Sequence, residues 1–500
     1  MASSLPSTSG ARPVASTGHA PPAGHAPLAD LVGAGTSVPC VDGTERPYRD
    51  LDSAASTPAM TSVAERVVEF LPMYSSVHRG AGFKSRAATA AYEDARRRIL
   101  EFCGRGGGDD VAVICRNTTE ALNHLAYRLD LSPGDVVVTT VVEHHANLLP
   151  WARFATRRYV ECDGDGVFSV ADVVAALDQG PTPKLLAVTG ASNVTGWLPP
   201  IAELCDAAHE RGIPVVCDAA QLAPHRPLPK GPDFLAFSGH KLYAPFGAGA
   251  LVGPRAAFAE GEPFLAGGGA VDLVDLDEVI WTDPPEREEA GSPNVVGAVA
   301  FAAALDGLEQ IGWEKVMDHE ARLAARLVDG LGAIDGVRVL GPAGAGIRRG
   351  AGPGTADVGH RADVDRLAVA TFDVEGVHHA LVAARLSAEW GIGVRHGCFC
   401  AHPYLLRLLG LGPSDVAEAR RQVMAGDRRR IPGAVRASCG LGSTTDDVDA
   451  LLDAVAVLAS GETAPVPYVQ DPTTGDFFPV TTAAGWSPAD RAAGGGCARG

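Results

Sequence analysis

Short runs of β-branched and aliphatic residues alternate with longer Ala- and Leu-rich stretches through the first two thirds of the chain. The apolar runs are VAVIC (111–115), DVVVTTV (135–141), KLLAVTG (184–190), PVVCDAA (214–220) and FLAFSG (234–239). Short continuous apolar runs are typical of strands buried on both faces, and the stretches between them are typical of helices. The alternation predicts an α/β fold with a mostly parallel sheet covered by helices on both faces.

A second set of elements follows this sheet. The Ala-rich stretch 295–311 predicts a long helix, and shorter apolar segments follow at 364–374, 391–395 and 434–440. These elements predict a smaller C-terminal α/β domain. The Gly-, Arg- and Ala-rich stretch 341–354 has no periodicity and is interpreted as an exposed loop.

The two ends of the chain lack a regular pattern. Residues 1–45 are rich in Ala, Ser, Pro and Gly, a composition that buries too little apolar area to offset the entropy of ordering, so we expect a disordered tail. Residues 461–500 combine Pro, Gly and Thr with isolated aromatic residues and are interpreted as an extension that packs partly on the body. We therefore expect a large domain over 46–300 and a small domain over 301–460.

Composition and charge exclude several classes of protein. The 42 Lys and Arg residues against 60 Asp and Glu give a net charge of −18, which repels nucleic acid and anionic lipid. The longest apolar run, 295–305, is far shorter than the about 20 residues that cross a membrane. The 10 Cys residues lack the regular spacing of a disulfide framework, which favours a reducing compartment. We expect a cytoplasmic protein that binds neither nucleic acid nor membrane.

Two charged residues follow neighbouring predicted strands. Asp218 ends the run PVVC, and Lys241 follows FLAFS after a Ser-Gly-His turn. A carboxylate at a buried strand end needs a cationic partner, and a desolvated lysine amine is a nucleophile toward an aldehyde. A pyridinium nitrogen and an aldehyde are what pyridoxal 5'-phosphate (PLP) supplies, so the pair resembles a PLP site.

Ten motifs extend this pattern along the chain: LDSAAST (51–57), SSVHRGAGFKSRAATAAYEDAR (75–96), RNTTEALN (116–123), EHHANLLPW (143–151), SNVTG (192–196), DAAQ (218–221), SGHKLYAPFGAG (238–249), EAGSPN (289–294), VRHGCFCAHP (394–403) and VRAS (435–438). In this order they resemble the class V aminotransferase family, most closely its short-loop cysteine desulfurase and selenocysteine lyase branch. The resemblance covers about residues 51–458. It implies the PLP-dependent transferase fold of type I, with a seven-stranded large-domain sheet, and a homodimer with a shared active site.

The resemblance implies roles for the residues around the cofactor ring. Lys241 would hold PLP covalently and shuttle a proton to and from the substrate Cα. Asp218 would keep the ring nitrogen protonated. His144 would stack on the ring and is preferred over its neighbour His145 by position.

The phosphate of PLP needs donors from the start of a helix. Thr118 and Thr119 precede the helical stretch EALNHLAYRL and offer hydroxyls and backbone N–H groups at its positive end. By resemblance, Ser238 and His240 would complete the phosphate site. Ser292 stands where the family usually has a threonine that reaches in from the second subunit.

Further residues are assigned to the cofactor's phenolic oxygen and to an amino acid substrate. Gln221 would donate to the phenolic oxygen, and Asn193 would contact that oxygen or the substrate carboxylate. A guanidinium group fixes a carboxylate through two parallel hydrogen bonds. Arg436 is the best match for that role, with Arg395 beside it in the other motif.

The loop after GIGVR carries the residue that distinguishes a desulfurase. In short-loop desulfurases a cysteine stands five residues after the arginine, and here it is Cys400. The resemblance implies that its thiolate attacks the sulfur of L-cysteine or a similar amino acid, leaves L-alanine, and passes the persulfide to an unidentified acceptor. His396 or His402 would lower the thiol pKa. The family usually has histidine before that cysteine, where this chain has Cys398 and Phe399. Cys398 would relay the persulfide, resolve it as a disulfide, or serve only as a small loop residue.

Two other interpretations stay open. The chain is alternatively a class V aminotransferase, lyase or epimerase in which Cys400 takes no part. In a different class, His396, Cys398, Cys400 and His402 would be ligands of zinc or copper, although a spacing of one residue between the cysteines is tighter than the usual C-x₂₋₄-C pattern.

Overall fold

The structure of the protein, a computed structural model, describes residues 26–342 and 365–480. Its strands are β1 (Ser37–Pro39), β2 (Glu45–Pro47), β3 (Arg49–Asp50), β4 (Asp110–Cys115), β5 (Val136–Thr140), β6 (Thr156–Val160), β7 (Leu185–Thr189), β8 (Val215–Asp218), β9 (Phe234–Ser238), β10 (Gly249–Pro254), β11 (Val271–Val274), β12 (Val279–Trp281), β13 (Val337–Leu340), β14 (Val369–Val374), β15 (Ile392–Gly393), β16 (Arg395–Gly397), β17 (Ala434–Ser438), β18 (Tyr468–Gln470) and β19 (Phe477–Pro479). Its helices are α1 (Thr61–Phe70), α2 (Phe83–Phe102), α3 (Thr118–Arg128), α4 (Val170–Asp178), α5 (Ile201–His209), α6 (Ala256–Ala259), α7 (Val295–Ile311), α8 (Trp313–Gly332), α9 (His379–Trp390), α10 (His402–Leu408), α11 (Pro413–Met424) and α12 (Thr445–Ala459).

A seven-stranded sheet in the order β4-β10-β9-β8-β7-β5-β6 forms the centre of the large domain. The strands from β9 to β6 are parallel, whereas β10 is antiparallel to both of its neighbours. Every residue of β5, β7, β8 and β9 is buried, as expected when helices cover both faces of a parallel sheet. The predicted α/β fold with a mostly parallel seven-stranded sheet is confirmed.

Helix α7 spans the predicted helical stretch 295–311 and packs against α1 and α2. Its Phe301 and Leu305 are fully buried in the same apolar core as the large sheet. The glycine that follows, Gly312, has φ 88° and redirects the chain into α8.

A second sheet, in the order β13-β14-β17-β16, is antiparallel throughout. Helices α8, α9 and α12 pack on it around a separate apolar core. Of the predicted loop at 341–354, residues 343–354 lie outside the described part of the chain.

The expected disorder up to residue 45 is wrong for residues 26–45. Strands β1 and β2 pair in antiparallel register, and Leu28 N donates to Leu441 O at 2.7 Å. Cys40 is 1% exposed. Leu28 and Leu31 pack against the apolar core that contains α7, and this local burial offsets the ordering entropy. The average composition of the tail does not reveal it. Residues 1–25 lie outside the described part.

The C-terminal extension contains an antiparallel hairpin of β18 and β19. The Tyr468 hydroxyl donates to Glu389 Oε1 at 3.0 Å, and the ring of Phe477 lies 5.5 Å from that of His378. The hairpin is therefore attached to α9 of the small domain. Residues 481–500 of the extension lie outside the described part.

No single helix in the described ranges is long and apolar enough to cross a membrane. The bent pair α7 and α8, whose axes meet at 81°, meets that requirement by length and composition only.

Candidate active site

A cavity of about 570 Å³ opens at the carboxyl ends of the parallel strands, where α/β folds bind their ligands. All but one of the predicted site residues line it: Thr118, Thr119, His144, Asn193, Asp218, Gln221, Ser238, His240, Lys241, Arg395, Cys400 and Arg436. The exception is Ser292, which is exposed on the surface of the single chain.

Asp218 and Lys241 lie at one edge of the large sheet because β8 and β9 are parallel neighbours. Asp218 is 3% exposed and accepts a hydrogen bond from Ala220 N at 3.0 Å. Burial raises its pKa, and the charge of Lys241 acts in the opposite direction. Burial also lowers the pKa of Lys241 to about 8, against the attraction of Asp218. An appreciable fraction of the amine is therefore neutral, and thus nucleophilic, near neutral pH.

His144 and His145 have different surroundings. Ala146 N donates to Nδ1 of His144 at 3.0 Å, which places the proton of a neutral ring on Nε2. Burial, followed by the charge of Lys241, lowers the pKa of His144 to about 3, so the ring is neutral at physiological pH. His145 instead stacks on His402, with ring centroids 5.1 Å apart, and its N donates to Cys400 O at 2.7 Å. His144 therefore lies in the cavity, whereas His145 supports the cysteine loop.

Thr118 and Ser238 form a compact polar cluster at the start of α3. Thr118 N donates to Ser238 Oγ at 2.7 Å, and the two hydroxyl oxygens are 2.6 Å apart. Thr119 follows in the first turn and is exposed to the cavity. The close approach depends on Gly249, since a Cβ there would lie 2.8 Å from Asn117 Cα. The open N-terminus of α3 thus offers N–H and hydroxyl donors to an anion.

Arg395 and Arg436 are direct cross-strand partners on β16 and β17. Two like charges in that position repel each other. Asp52 lies against both: Arg436 Nη2 donates to its Oδ1 at 2.9 Å, and Arg395 Nε donates to its Oδ2 at 3.0 Å. Arg436 also donates from Nη1 to Asn193 O at 2.9 Å. A carboxylate that the sequence did not single out therefore holds both predicted substrate-binding arginines.

The loop that carries Cys400 has an unusual backbone. Phe399 and Cys400 both have φ 54°, in the left-handed region that side chains other than glycine rarely adopt. Asn193 Nδ2 donates to Phe399 O at 2.7 Å, and the Arg436 guanidinium lies 5.2 Å from the centre of the Phe399 ring. Together with the bond from His145 N, these contacts maintain a conformation that presents an exposed Cys400 side chain.

The histidines near Cys400 do not have the role that the sequence suggested. Burial lowers the pKa of both His396 and His402, so neither supplies the positive charge that stabilises a thiolate. The cations that interact with the Cys400 sulfur are Lys241 and Arg436.

Cys398 and the possible metal ligands of the loop are the remaining features to compare with the sequence predictions. Burial raises the pKa of Cys398, which is a free thiol like Cys400. Within residues 26–342 and 365–480, no three His, Cys, Asp or Glu side chains are arranged to hold a metal ion. The interpretation of the loop as a zinc or copper site is therefore not supported.

The residues of the cavity fit PLP. Asp218 is a buried carboxylate that lines the cavity and would pair with a protonated ring nitrogen, and the amine of Lys241 belongs to the same cavity. The donors of Thr118, Thr119 and Ser238 suit a phosphate. Gln221 differs in part from the expectation, because its Nε2 donates to Ala54 O at 2.6 Å and one N–H remains for the phenolic oxygen.

Beneath Asp218 lies a buried carboxyl group that the sequence analysis missed. Glu143 is fully buried and accepts hydrogen bonds from Thr140 Oγ1 at 2.8 Å, Asn147 Nδ2 at 2.7 Å and Thr189 N at 3.0 Å. Burial raises its pKa to about 8 despite these donors, and the charge of Asp218 adds to the increase. In the sequence, the position of this Glu directly before the two histidines of the motif EHHAN could have indicated that it lies near the site.

Comparisons with known proteins agree with this geometry. The model of the family "Aminotransferase class-V" matches residues 50–451. A cysteine desulfurase of Haloferax volcanii is 34% identical over 426 residues, which cover 83% of this chain and 90% of the relative. A cysteine desulfurase of Dickeya dadantii is 34% identical over 420 residues, covering 81% and 91%.

Solved structures give the same result. The apo structure of the cysteine desulfurase from Thermococcus onnurineus NA1 superposes with a TM-score of 0.70 at 32% identity, covering 83% of this chain and 95% of that one. The cysteine desulfurase CsdA from Escherichia coli, in an S-sulfonic acid form, has a TM-score of 0.68 at 31% identity, covering 83% and 96%. The chain therefore belongs to the class V aminotransferase family and is a cysteine desulfurase-like member of it.

Proposed function

We propose that the protein is a PLP-dependent cysteine desulfurase that converts L-cysteine to L-alanine and keeps the sulfur as a persulfide on Cys400. The observation that carries the proposal is the position of an exposed cysteine in the same cavity as Lys241 and Asp218. An aminotransferase has no need of a thiol held there by a strained loop. PLP, when bound, supplies the electron sink that stabilises negative charge on the substrate carbon.

The residues of the chain have separate tasks in this reaction. Arg395 and Arg436 orient the substrate carboxylate, and Lys241 Nζ moves a proton to and from the substrate Cα. Asp218 would hold the protonated ring nitrogen of PLP, and the neutral ring of His144 would stack on the cofactor. The Cys400 thiolate forms a bond to the substrate sulfur as the Cβ–S bond breaks, and the carbon fragment is protonated to alanine.

We infer that the protein works as a homodimer with shared active sites. Ser292 is exposed in the single chain, as is expected of a residue that completes a neighbouring site. The hairpin of β11 and β12 presents exposed apolar residues, with Leu276 101%, Leu273 60% and Ile280 52% exposed, which favours a subunit contact. Light scattering should give twice the mass of one chain, and L276D should shift it toward the monomer.

A reducing compartment, the cytoplasm, suits this chemistry. Nine cysteines lie in the described residues, and all of them are free thiols. The sulfur acceptor is a partner of the reaction, since the persulfide must leave Cys400 before the next turnover.

The test compares two cysteine variants. Holoenzyme is mixed with L-cysteine and no added acceptor, and the alanine released in the first turnover and the mass of the Cys400 peptide are measured. The wild-type protein should release one equivalent of alanine and gain one sulfur atom on Cys400. C400A should lose at least about 100-fold in rate, whereas the matched control C398A should retain the gain of sulfur. If C400A is as active as the wild type, the protein is instead a class V enzyme with an idle Cys400.

A further inference from the structure

The cavity has lining residues beyond those assigned to the cofactor and the amino acid. Its far end, which we call the outer recess, is lined by His378, His379, His396, Arg428, Ile431 and Thr474. His396 stands four residues before Cys400 in the same loop, so the recess adjoins the proposed persulfide. The total volume of about 570 Å³ lies within the about 300–1,000 Å³ that is usual for small-molecule sites.

One wall of the recess comes from the C-terminal hairpin, which lies beyond the family match that ends at residue 451. Asp476 pairs with His396, with 3.2 Å between Oδ1 and Nε2. Arg428 N donates to Pro472 O at 2.8 Å, and Arg428 Nη1 donates to Thr473 O at 2.9 Å. The hairpin is therefore joined to the loop strand and to the segment at 428 by specific contacts.

The recess is polar but has a single cation of its own. Burial lowers the pKa of His378, His379 and His396, so all three rings are neutral at physiological pH. Among the described residues, no carboxylate forms an ion pair with Arg428, and Asp476 faces His396 rather than lining the cavity. The guanidinium keeps N–H donors for a ligand, and a carboxylate is the group it binds best.

We propose that the outer recess is the binding site of the sulfur acceptor, and that the acceptor is a small thiol that carries a carboxylate held by Arg428. This inference rests on the proposed function. The acceptor thiolate attacks the outer sulfur of the Cys400 persulfide, and a bond forms between the two. The bond from that sulfur to Cys400 Sγ breaks, Cys400 leaves as a thiolate, and the acceptor departs as a persulfide. No external oxidant or reductant takes part, and the proton of the acceptor thiol passes to solvent.

The test forms the Cys400 persulfide in the holoenzyme with one equivalent of L-cysteine, removes small molecules by gel filtration, and measures the rate of sulfur transfer at increasing concentrations of three thiols of similar size. These are 3-mercaptopropionate (anionic), 2-mercaptoethanol (neutral) and cysteamine (cationic). The wild-type protein should show its lowest KM for 3-mercaptopropionate. R428A should raise that KM about tenfold, the effect of one charge-assisted contact, should leave the KM of the neutral thiol unchanged, and should lower the KM of cysteamine by relieving charge repulsion. R430A is the matched control, because Arg430 is exposed two residues away and does not line the cavity.

A second variant tests the recess independently of charge. T474W places a large ring in the recess and should slow sulfur transfer to all three thiols. The proposal is overturned if the wild type does not prefer the anionic thiol or if R428A behaves as R430A does. It is also overturned if T474W transfers sulfur at the wild-type rate, and the acceptor is then a protein thiol that reaches Cys400 from outside. The first-turnover burst of alanine from L-cysteine with no other thiol present separates the two hypotheses. Its absence refutes the desulfurase function, and its presence without discrimination among thiols refutes only the acceptor site.

Discussion

Asp52 provides the strictest test of how Arg395 and Arg436, the arginines that we propose bind the substrate, are held. Arg436 is 2% exposed and lies 2.9 Å from Asp52, which is 21% exposed. At an effective dielectric constant near 20, two unit charges about 4 Å apart attract by about 4 kcal/mol. Removing one partner of a fully buried pair costs about 3–5 kcal/mol, because the other charge stays buried without compensation. Asp52 is partly exposed, and Arg436 keeps its hydrogen bond to Asn193 O. We therefore expect D52N to lower the free energy of unfolding by about 2–3 kcal/mol.

The measurement is urea unfolding followed by circular dichroism, with extrapolation to zero denaturant. The matched control is D373N, which removes the carboxylate of an exposed cross-strand pair with Arg338 in the same sheet, with side chains 59% and 27% exposed. Exposed pairs contribute about 0–1 kcal/mol, so D373N should change stability by less than half as much as D52N. Equal losses for the two variants would refute the reasoning.

Three further predictions concern Lys241, Glu143 and Gly249, which lie in or beside the cavity. The rate at which cofactor-free protein combines with PLP should rise with pH around a midpoint of about 8, because the neutral Lys241 amine is the reactive form; a rate independent of pH from 6 to 9 would contradict this. The pKa of Glu143 is raised from 4.5 to about 8, so between these pH values the folded state holds a proton that the unfolded state has lost. The free energy of unfolding should therefore fall as pH rises from about 4.5 to about 8. E143Q should remove this dependence when the free energy of unfolding in urea is measured across the same pH range. G249A should push Asn117 away from β10 and weaken PLP binding, measured by equilibrium dialysis, while the control G134A, where a Cβ meets no neighbour, should not.

The sequence predicted the elements that are uniformly buried. The strands β5, β7, β8 and β9 are continuous apolar runs, and α7 was predicted over the residues that it occupies. The strands β6 and β10 were not predicted. β6 is an edge strand with two arginines and little burial, and β10 begins with glycine and ends with proline, residues that usually indicate turns.

The candidate site could be predicted where a short motif carries its chemistry, as for Asp218 and Lys241. It could not be predicted where the role depends on long-range pairing. Asp52 acquires its role only because β16 and β17 place Arg395 opposite Arg436. The contribution of the C-terminal hairpin to the cavity likewise follows from tertiary packing that no local pattern of Pro, Gly and Thr reveals.

The left-handed backbone at Phe399 and Cys400 has a consequence for engineering the enzyme. Glycine at position 399 would relieve a backbone penalty of about 1–3 kcal/mol, but the loss of a Phe side chain that is 6% exposed in an apolar core costs about 3–5 kcal/mol. It would also delete the ring beneath Arg436 and release the adjacent thiol from one orientation. The aromatic ring at position 399 should therefore support both the stability of the protein and the orientation of Cys400, and variants selected for heat tolerance should retain it.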